Sequence, residues 1–145
     1  MICKSFTFLF LGLALVGCSK ATIQVDRYVV LPSDMPSVYI DSPDPKKENP
    51  SFGQVLNVRY RIKKLDNNSW PYMVLLKVIY KNLEEESFSY SIGHLEGSFE
   101  FLVLDEKYEN TGGILTYKAE IFSFDGEEIA QFKHKLWFDL ITFPY

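Results

Sequence analysis

The sequence predicts an all-β protein in which two antiparallel sheets pack as a sandwich. Several segments alternate apolar and polar residues with a period of two, which is typical of half-buried strands. Gly, Pro, Asn and Asp separate these segments at short intervals, and no amphipathic helix of useful length is visible. With 47% hydrophobic residues, the chain can fill a core between about seven short strands.

The first eighteen residues form a separate unit. Lys4 precedes the apolar run 5–17, which is the order of charge and hydrophobicity in a secretory signal peptide. The run is shorter than the roughly 20 apolar residues that a membrane span needs. It ends in Leu15-Val16-Gly17-Cys18, which resembles the lipobox of bacterial lipoproteins, and Ser19 follows the cysteine.

The lipobox resemblance implies diacylglycerol on the sulfur of Cys18 and cleavage before this residue, because a thiolate is a suitable nucleophile for alkylation by lipid. We therefore expect a protein anchored to the bacterial cell membrane by lipid and held outside the cytoplasm. Because Ser19 rather than Asp follows the cysteine, the resemblance favours the outer over the inner membrane.

The predicted organisation is a signal peptide over 1–17, a lipid-anchored tether over 18–35 and a β-sandwich domain over 36–145. An extended tether of this length would hold the domain up to about 55 Å from the bilayer, at about 3.3 Å per residue. The alternative is that its apolar run, Tyr28–Leu31, pairs as an edge strand.

Within the predicted domain, a proline-rich segment contains one possible strand over 38–40, since prolines at 36, 43, 45 and 50 exclude a helix there. Residues 56–62 alternate as a half-buried strand, whereas 73–80 are apolar on both faces and predict a central strand. Two further alternating strands cover 87–92 and 98–103, and a polar loop is expected over 105–113.

A β-hairpin is predicted from strands over 114–123 and 128–140. Asp125-Gly126 favours a two-residue turn, which fixes the pairing of the two strands. Apolar pairs then share one face of the hairpin, while Glu120 with Gln131 and Thr116 with Lys135 share the other, so turn and periodicity agree. The expected pairs are Ile121 with Ala130, Ala119 with Phe132, Leu115 with Leu136, Phe122 with Ile129, and Ile114 with Trp137.

The segment Leu115-Thr116-Tyr117-Lys118-Ala119 resembles the tyrosine corner of immunoglobulin-like and fibronectin-like domains, with Ala119 where antibody domains carry their second cysteine. This resemblance, together with the number of strands, implies an immunoglobulin-like sandwich. The disulfide and the strand C tryptophan of antibody domains are absent from the sequence.

Composition excludes several classes of chemistry. The two cysteines are Cys3, which cleavage would remove, and Cys18, which lipid would consume, so no thiol is expected for a disulfide, a zinc site or a nucleophile. The formal net charge is −4, which argues against a nucleic-acid partner. No phosphate loop, dinucleotide fingerprint or metal-binding helix occurs in the sequence.

The two histidines do not predict catalysis. Residues 93–97 have the spacing of a nucleophile elbow but place Leu95 at the nucleophile position, so we expect a turn with an exposed His94. His134 falls opposite Tyr117 in the predicted hairpin, where the tyrosine hydroxyl or a backbone group would satisfy it. The acidic groups at 84–86, 105–109 and 127–128 are expected at solvated turns. We therefore expect neither an enzyme nor a metal or cofactor site.

One candidate surface remains, on the outward face of the hairpin, formed by Trp137, Phe122, Ile114 and Ile129. If covered, these residues form a second core against the tether, and if exposed they form a binding surface for another envelope protein. The expected function is accordingly protein interaction or a structural role. The alternative is an envelope glycan or small-ligand module that uses Trp70, Tyr72 or Trp137 as stacking surfaces.

Overall fold

The computed structural model describes residues 21–34, 49–63 and 71–138. Within them, seven strands form two antiparallel sheets that pack as a sandwich. The strands are β1 (Ala21–Val30), β2 (Gly53–Ile62), β3 (Tyr72–Tyr80), β4 (Glu85–Ile92), β5 (Glu96–Leu104), β6 (Ile114–Phe122) and β7 (Glu128–Lys133). One α-helix, α1 (Asp105–Thr111), lies between β5 and β6, and a short 3-10 helix (Pro32–Asp34) follows β1. The predicted all-β sandwich is confirmed.

The strands divide three and four between the sheets. One sheet has the order β1-β2-β5 and the other β4-β3-β6-β7, so β3 is a central strand as predicted. In constant immunoglobulin domains the third and fourth strands lie in different sheets. Here β3 and β4 pair in the same sheet, an arrangement that the resemblance alone did not specify. The predicted strand at 38–40 lies outside the described residues.

The predicted tether over 18–35 is corrected at residues 21–30. These residues form β1, which pairs with β2 along its whole length as an edge strand. Ala21, Ile23 and Val25 alternate with exposed residues and enter the core cluster. Apolar and polar residues already alternate with a period of two at the start of this segment. The structure contains the edge-strand alternative, but over Ala21–Val30 rather than over Tyr28–Leu31 alone.

The core lies between the inward faces of the two sheets. Its fully buried side chains include Leu56 and Val58 of β2, Leu76 and Val78 of β3, and Ala119 of β6. Ala119 thus occupies a core position, as expected from its place in the tyrosine-corner segment. Tyr117 is also buried, and its ring stacks on Phe132 of β7 with a centroid separation of 6.1 Å.

The predicted hairpin is present, but its turn is longer by one residue. Gly126 donates its N–H to the carbonyl of Ser123, and a positive φ of 80° at Gly126 closes a three-residue loop over 124–126. The register then shifts between Ile121 and Phe122. The shift restores the predicted pairs of Ile121 with Ala130 and Ala119 with Phe132, whereas Phe122 pairs with Glu128 and not with Ile129.

The polar loop expected over 105–113 is corrected to α1. Asp105 joins the helix to the start of β2, since its carboxylate accepts the N–H of Phe52 at 3.1 Å and its N–H donates to the Phe52 carbonyl at 2.8 Å. Gly112 ends the helix in the left-handed conformation. A helix of only seven residues is too short for apolar periodicity to reveal it.

Candidate functional site

Both ends of the sandwich are defined by the strand pairings. At the lower end, β1 begins at Ala21 opposite Ile62, and β5 begins at Glu96 opposite Arg61. The turns 93–95 and 123–127 also lie there, because Tyr72 at the start of β3 pairs with Ile92, and Met73 pairs with Phe122. At the upper end are the end of β1, the turn 81–84, α1 and the end of β7.

A polar groove of about 740 Å³ lies at the lower end, on the outward face of the three-stranded sheet. Two rows of cross-strand neighbours form its floor, one of them Thr22, Arg61 and Glu96, and the other Gln24, Arg59 and Ser98. Two exposed ion pairs join the strands. The described lining comprises Thr22, Gln24, Arg59, Tyr60, Arg61, Glu96, Gly97 and Ser98.

The described lining of the groove offers hydrogen-bond donors and acceptors for binding. Arg61 pairs with Glu96 at 3.2 Å, and Arg59 pairs with Asp26, so the charges of the guanidinium groups are largely balanced. Sequence reasoning missed this groove because it placed Thr22 and Gln24 in a tether. The alternation of these two residues with Ala21, Ile23 and Val25 was the available signal.

Ile114 does not belong to the predicted outward surface of the hairpin. Ile114 is 1% exposed and belongs to the core cluster, and Ile129 is half-buried and packs against that cluster. Phe122 and Trp137 are also half-buried, and the backbone N–H of Trp137 donates to the backbone carbonyl of His134. The strand predicted over 128–140 ends at Lys133, so the ladder pairs predicted for Leu115 with Leu136 and for Ile114 with Trp137 do not form.

Other residues on this outward face are covered. Thr116 of β6 and Ile79 of β3 are fully buried, and Glu120 is 5% exposed. Glu120 forms an ion pair with Lys118 at 2.6 Å, and both side chains are largely removed from solvent. A buried charge requires such a partner. These three positions of the outward face are therefore closed to solvent.

The predicted stacking residues are separated by their burial. Tyr72 is 1% exposed, so its ring cannot stack on a ligand from solvent, whereas Trp137 is half-buried. Trp70 lies outside the described residues, as does Cys18. In the part of the chain that the structure describes, no three His, Cys, Asp or Glu side chains are grouped so that they could hold a metal ion.

A polar cluster that sequence reasoning missed joins α1 to the β3–β4 hairpin. Tyr80 donates its hydroxyl to Glu86, and Lys107 of α1 pairs with the same carboxylate at 2.8 Å while lying 4.9 Å from the Phe101 ring centroid. Burial, followed by the bond to Glu86, raises the pKa of Tyr80 far above its ordinary value. These contacts fix the helix against the sheet, and the raised pKa keeps the tyrosine neutral.

The Glu86 carboxylate is held in its charged form. Burial acts to raise its pKa, but the hydrogen bonds from Lys107 and Tyr80 outweigh burial, so the pKa of Glu86 lies below its ordinary value. A general acid or base for neutral pH needs the opposite shift. What the contacts of Tyr80 and Lys107 with Glu86 do is hold α1 against the sheet.

His134 is satisfied by a backbone group, one of the two predicted alternatives, and by the hydroxyl of Thr116 in place of the tyrosine hydroxyl that was the other alternative. Its Nδ1 lies 3.4 Å from both the Thr116 hydroxyl and the backbone nitrogen of Leu136, and its ring is 4.9 Å from the Tyr117 ring. A backbone N–H can only donate, so Nδ1 is an acceptor and carries no proton. Burial, followed by the charges of Arg27 and Lys135, lowers the pKa of His134.

The pKa shift of His134 predicts a pH-dependent stability. Because the folded protein binds this proton less readily than the unfolded chain does, the free energy of unfolding should fall as the pH drops below the ordinary value of 6.5. Urea unfolding at pH 7.5, 6.5 and 5.5 measures this dependence. His134→Gln should flatten it, whereas His94→Gln, at an exposed turn, should retain it. Equal slopes in the two variants would contradict the assignment.

Comparisons with models of protein families, with curated proteins and with solved structures gave no match. Within residues 21–34, 49–63 and 71–138, no helix has the length and apolar character needed to cross a membrane.

Proposed function

We propose that the protein is a lipid-anchored cell-envelope lipoprotein whose non-catalytic β-sandwich contacts another envelope protein. The anchor is supported by the lipobox at Leu15-Val16-Gly17-Cys18, and the fold is compatible with it because Ala21, three residues after Cys18, is already paired with Ile62. Cleavage before Cys18 would leave the pairing of Ala21 with Ile62 intact.

The protein-binding role is supported by exposed apolar side chains toward the upper end, opposite Ala21. Val29 is 57% exposed and Leu136 is 62% exposed. Exposed apolar groups of this kind mark interaction sites when they lie close together. With the lipid at the lower end, the upper end points away from the bilayer and is accessible to a partner. The exposed large apolar residues toward this end are Tyr28, Val29, Leu31, Leu83, Leu102, Leu136 and Phe138.

Photo-crosslinking in cells tests this partner surface. A photoreactive amino acid at Leu136 should yield a discrete crosslinked species, because this side chain would contact the partner. The same amino acid at Thr22, which is exposed on the groove near the anchor, serves as the matched control and should not. Crosslinks of the same mass from both positions, or from Thr22 alone, would contradict an upper-end partner.

The polar groove favours a second function, the binding of an envelope glycan fragment. Its volume is in the range of ligand sites, and its guanidinium, amide, hydroxyl and carboxylate groups suit a polyhydroxylated ligand. Soluble peptidoglycan fragments should then shift the NMR signals of β1, β2 and β5, and Gln24→Ala should weaken binding. Shifts that are absent at millimolar fragment concentration would remove this function.

A further inference from the structure

The chain between the proposed lipid and the fold is very short. Three peptide units separate Cys18 from Ala21, which allows at most about 11 Å between their Cα atoms. Ala21 is 4% exposed and paired with Ile62, so the chain is already part of the sheet at that residue. An anchor at Cys18 therefore keeps the lower end close to the bilayer and does not hold the domain away from it.

Two turns at this lower end carry exposed apolar side chains. Phe124, in the β6–β7 turn, is 69% exposed, and Leu95, in the β4–β5 turn, is 37% exposed. The turn of Leu95 lies beside the entry of the chain, because Ile62, the partner of Ala21, donates its N–H to the Leu95 carbonyl at 2.7 Å. Aromatic and leucine side chains at a membrane surface bury themselves at the boundary of headgroups and acyl chains.

We infer that the lower end of the sandwich rests directly on the lipid surface, with Phe124 and Leu95 inserted at its boundary. This inference rests on the proposed lipid at Cys18. The domain is then oriented, since one lipid-bearing point and two turns define a plane of contact. The groove opens near the bilayer, and the upper end faces away from it.

The charges at this end specify the kind of lipid surface. Three exposed carboxylates flank Phe124 in the sequence of its turn, namely Asp125, Glu127 and Glu128. Arg61 and Lys63 are the exposed cations at the end of β2. Carboxylates beside the inserted phenylalanine would be repelled by anionic headgroups. The surface that fits is zwitterionic.

The test uses the lipid-modified full chain in phosphatidylcholine vesicles. Phe124→Cys and Leu83→Cys variants each carry an environment-sensitive fluorophore, and Leu83, 59% exposed in the β3–β4 turn at the upper end, is the matched control. Labelling is specific when lipid occupies Cys18 and cleavage removes Cys3. Spin-labelled lipids are then added as a quencher confined to the bilayer.

Insertion predicts that the emission of the label at position 124 shifts to shorter wavelength and is mostly quenched by the spin-labelled lipids. The label at position 83 should show neither effect. If the fluorescence at both positions is that of a label in water while intact mass confirms the lipid, the contact of the lower end with the bilayer is wrong and the anchor at Cys18 stands. Quenching at position 83 instead would place the upper end on the membrane and overturn the inference. A mass without lipid would remove both the anchor and the seating.

Discussion

Replacing Cys18 by alanine is expected to abolish incorporation of fatty acid into the protein. The thiol is the only group at the expected attachment position that lipid can alkylate, and alanine has no replacement for it. Each buried methylene contributes about 0.8 kcal/mol, so two or three acyl chains anchor stably where a single chain binds only weakly and reversibly. Metabolic labelling with radioactive palmitate, followed by gel electrophoresis, measures the loss.

The chain provides its own control for this experiment. Cys3→Ala removes the other cysteine, which lies in the segment that cleavage should discard, and should leave palmitate incorporation unchanged. Label that persists in Cys18→Ala would contradict the assignment of the attachment site. Label that is lost only in Cys3→Ala would place the modification on the other thiol.

Replacing Gly53 by alanine is expected to destabilise the fold severely. Gly53 begins β2 with a φ of 143°, and a Cβ atom there would lie 2.3 Å from the carbonyl oxygen of Val103 and 2.9 Å from the Cα of Leu104. Both contacts are with backbone of the neighbouring strand, so β2 and β5 would have to separate locally. We expect a loss of about 3 to 5 kcal/mol in the free energy of unfolding, the range of severe packing defects.

Gly126→Ala separates the effect of the clash from that of the backbone angle. Gly126 also has a positive φ, but nothing lies within 4 Å of the Cβ that alanine would add. Its cost should be limited to about 1 kcal/mol of conformational strain. Urea denaturation of the two variants measures the difference. Equal losses would show that the close approach of β2 to β5 does not matter.

Most of the sandwich could be predicted because alternation over several residues is a local signal. It placed β2 to β6 within a few residues of their ends, and the register of the hairpin body agreed with Ile121 opposite Ala130. The turn was wrong because Asp125-Gly126 suits both a two-residue and a three-residue loop. The bulge after Ile121 compensates for the longer loop. The alternation of apolar and polar residues is the same with or without this compensation, so it could not be predicted.

The groove and the upper-end residues could not be predicted, because they depend on which strands become neighbours. Thr22, Arg59 and Glu96 are far apart in sequence and meet only through the order β1-β2-β5. The burial of Ile114 is similar, since a register shift between Ile79 and Tyr80 places it opposite Tyr80 in the core. The predicted outward surface at Ile114 assumed an uninterrupted alternation along β6.

Intact mass of the membrane-extracted protein tests the central proposal most directly. Lipid anchoring predicts the mass of the chain that begins at Cys18 plus fatty acyl groups, and the loss of this modified species in Cys18→Ala. An unmodified full-length mass, from a host able to process lipoproteins, would contradict the anchor and with it the proposed location and orientation of the sandwich.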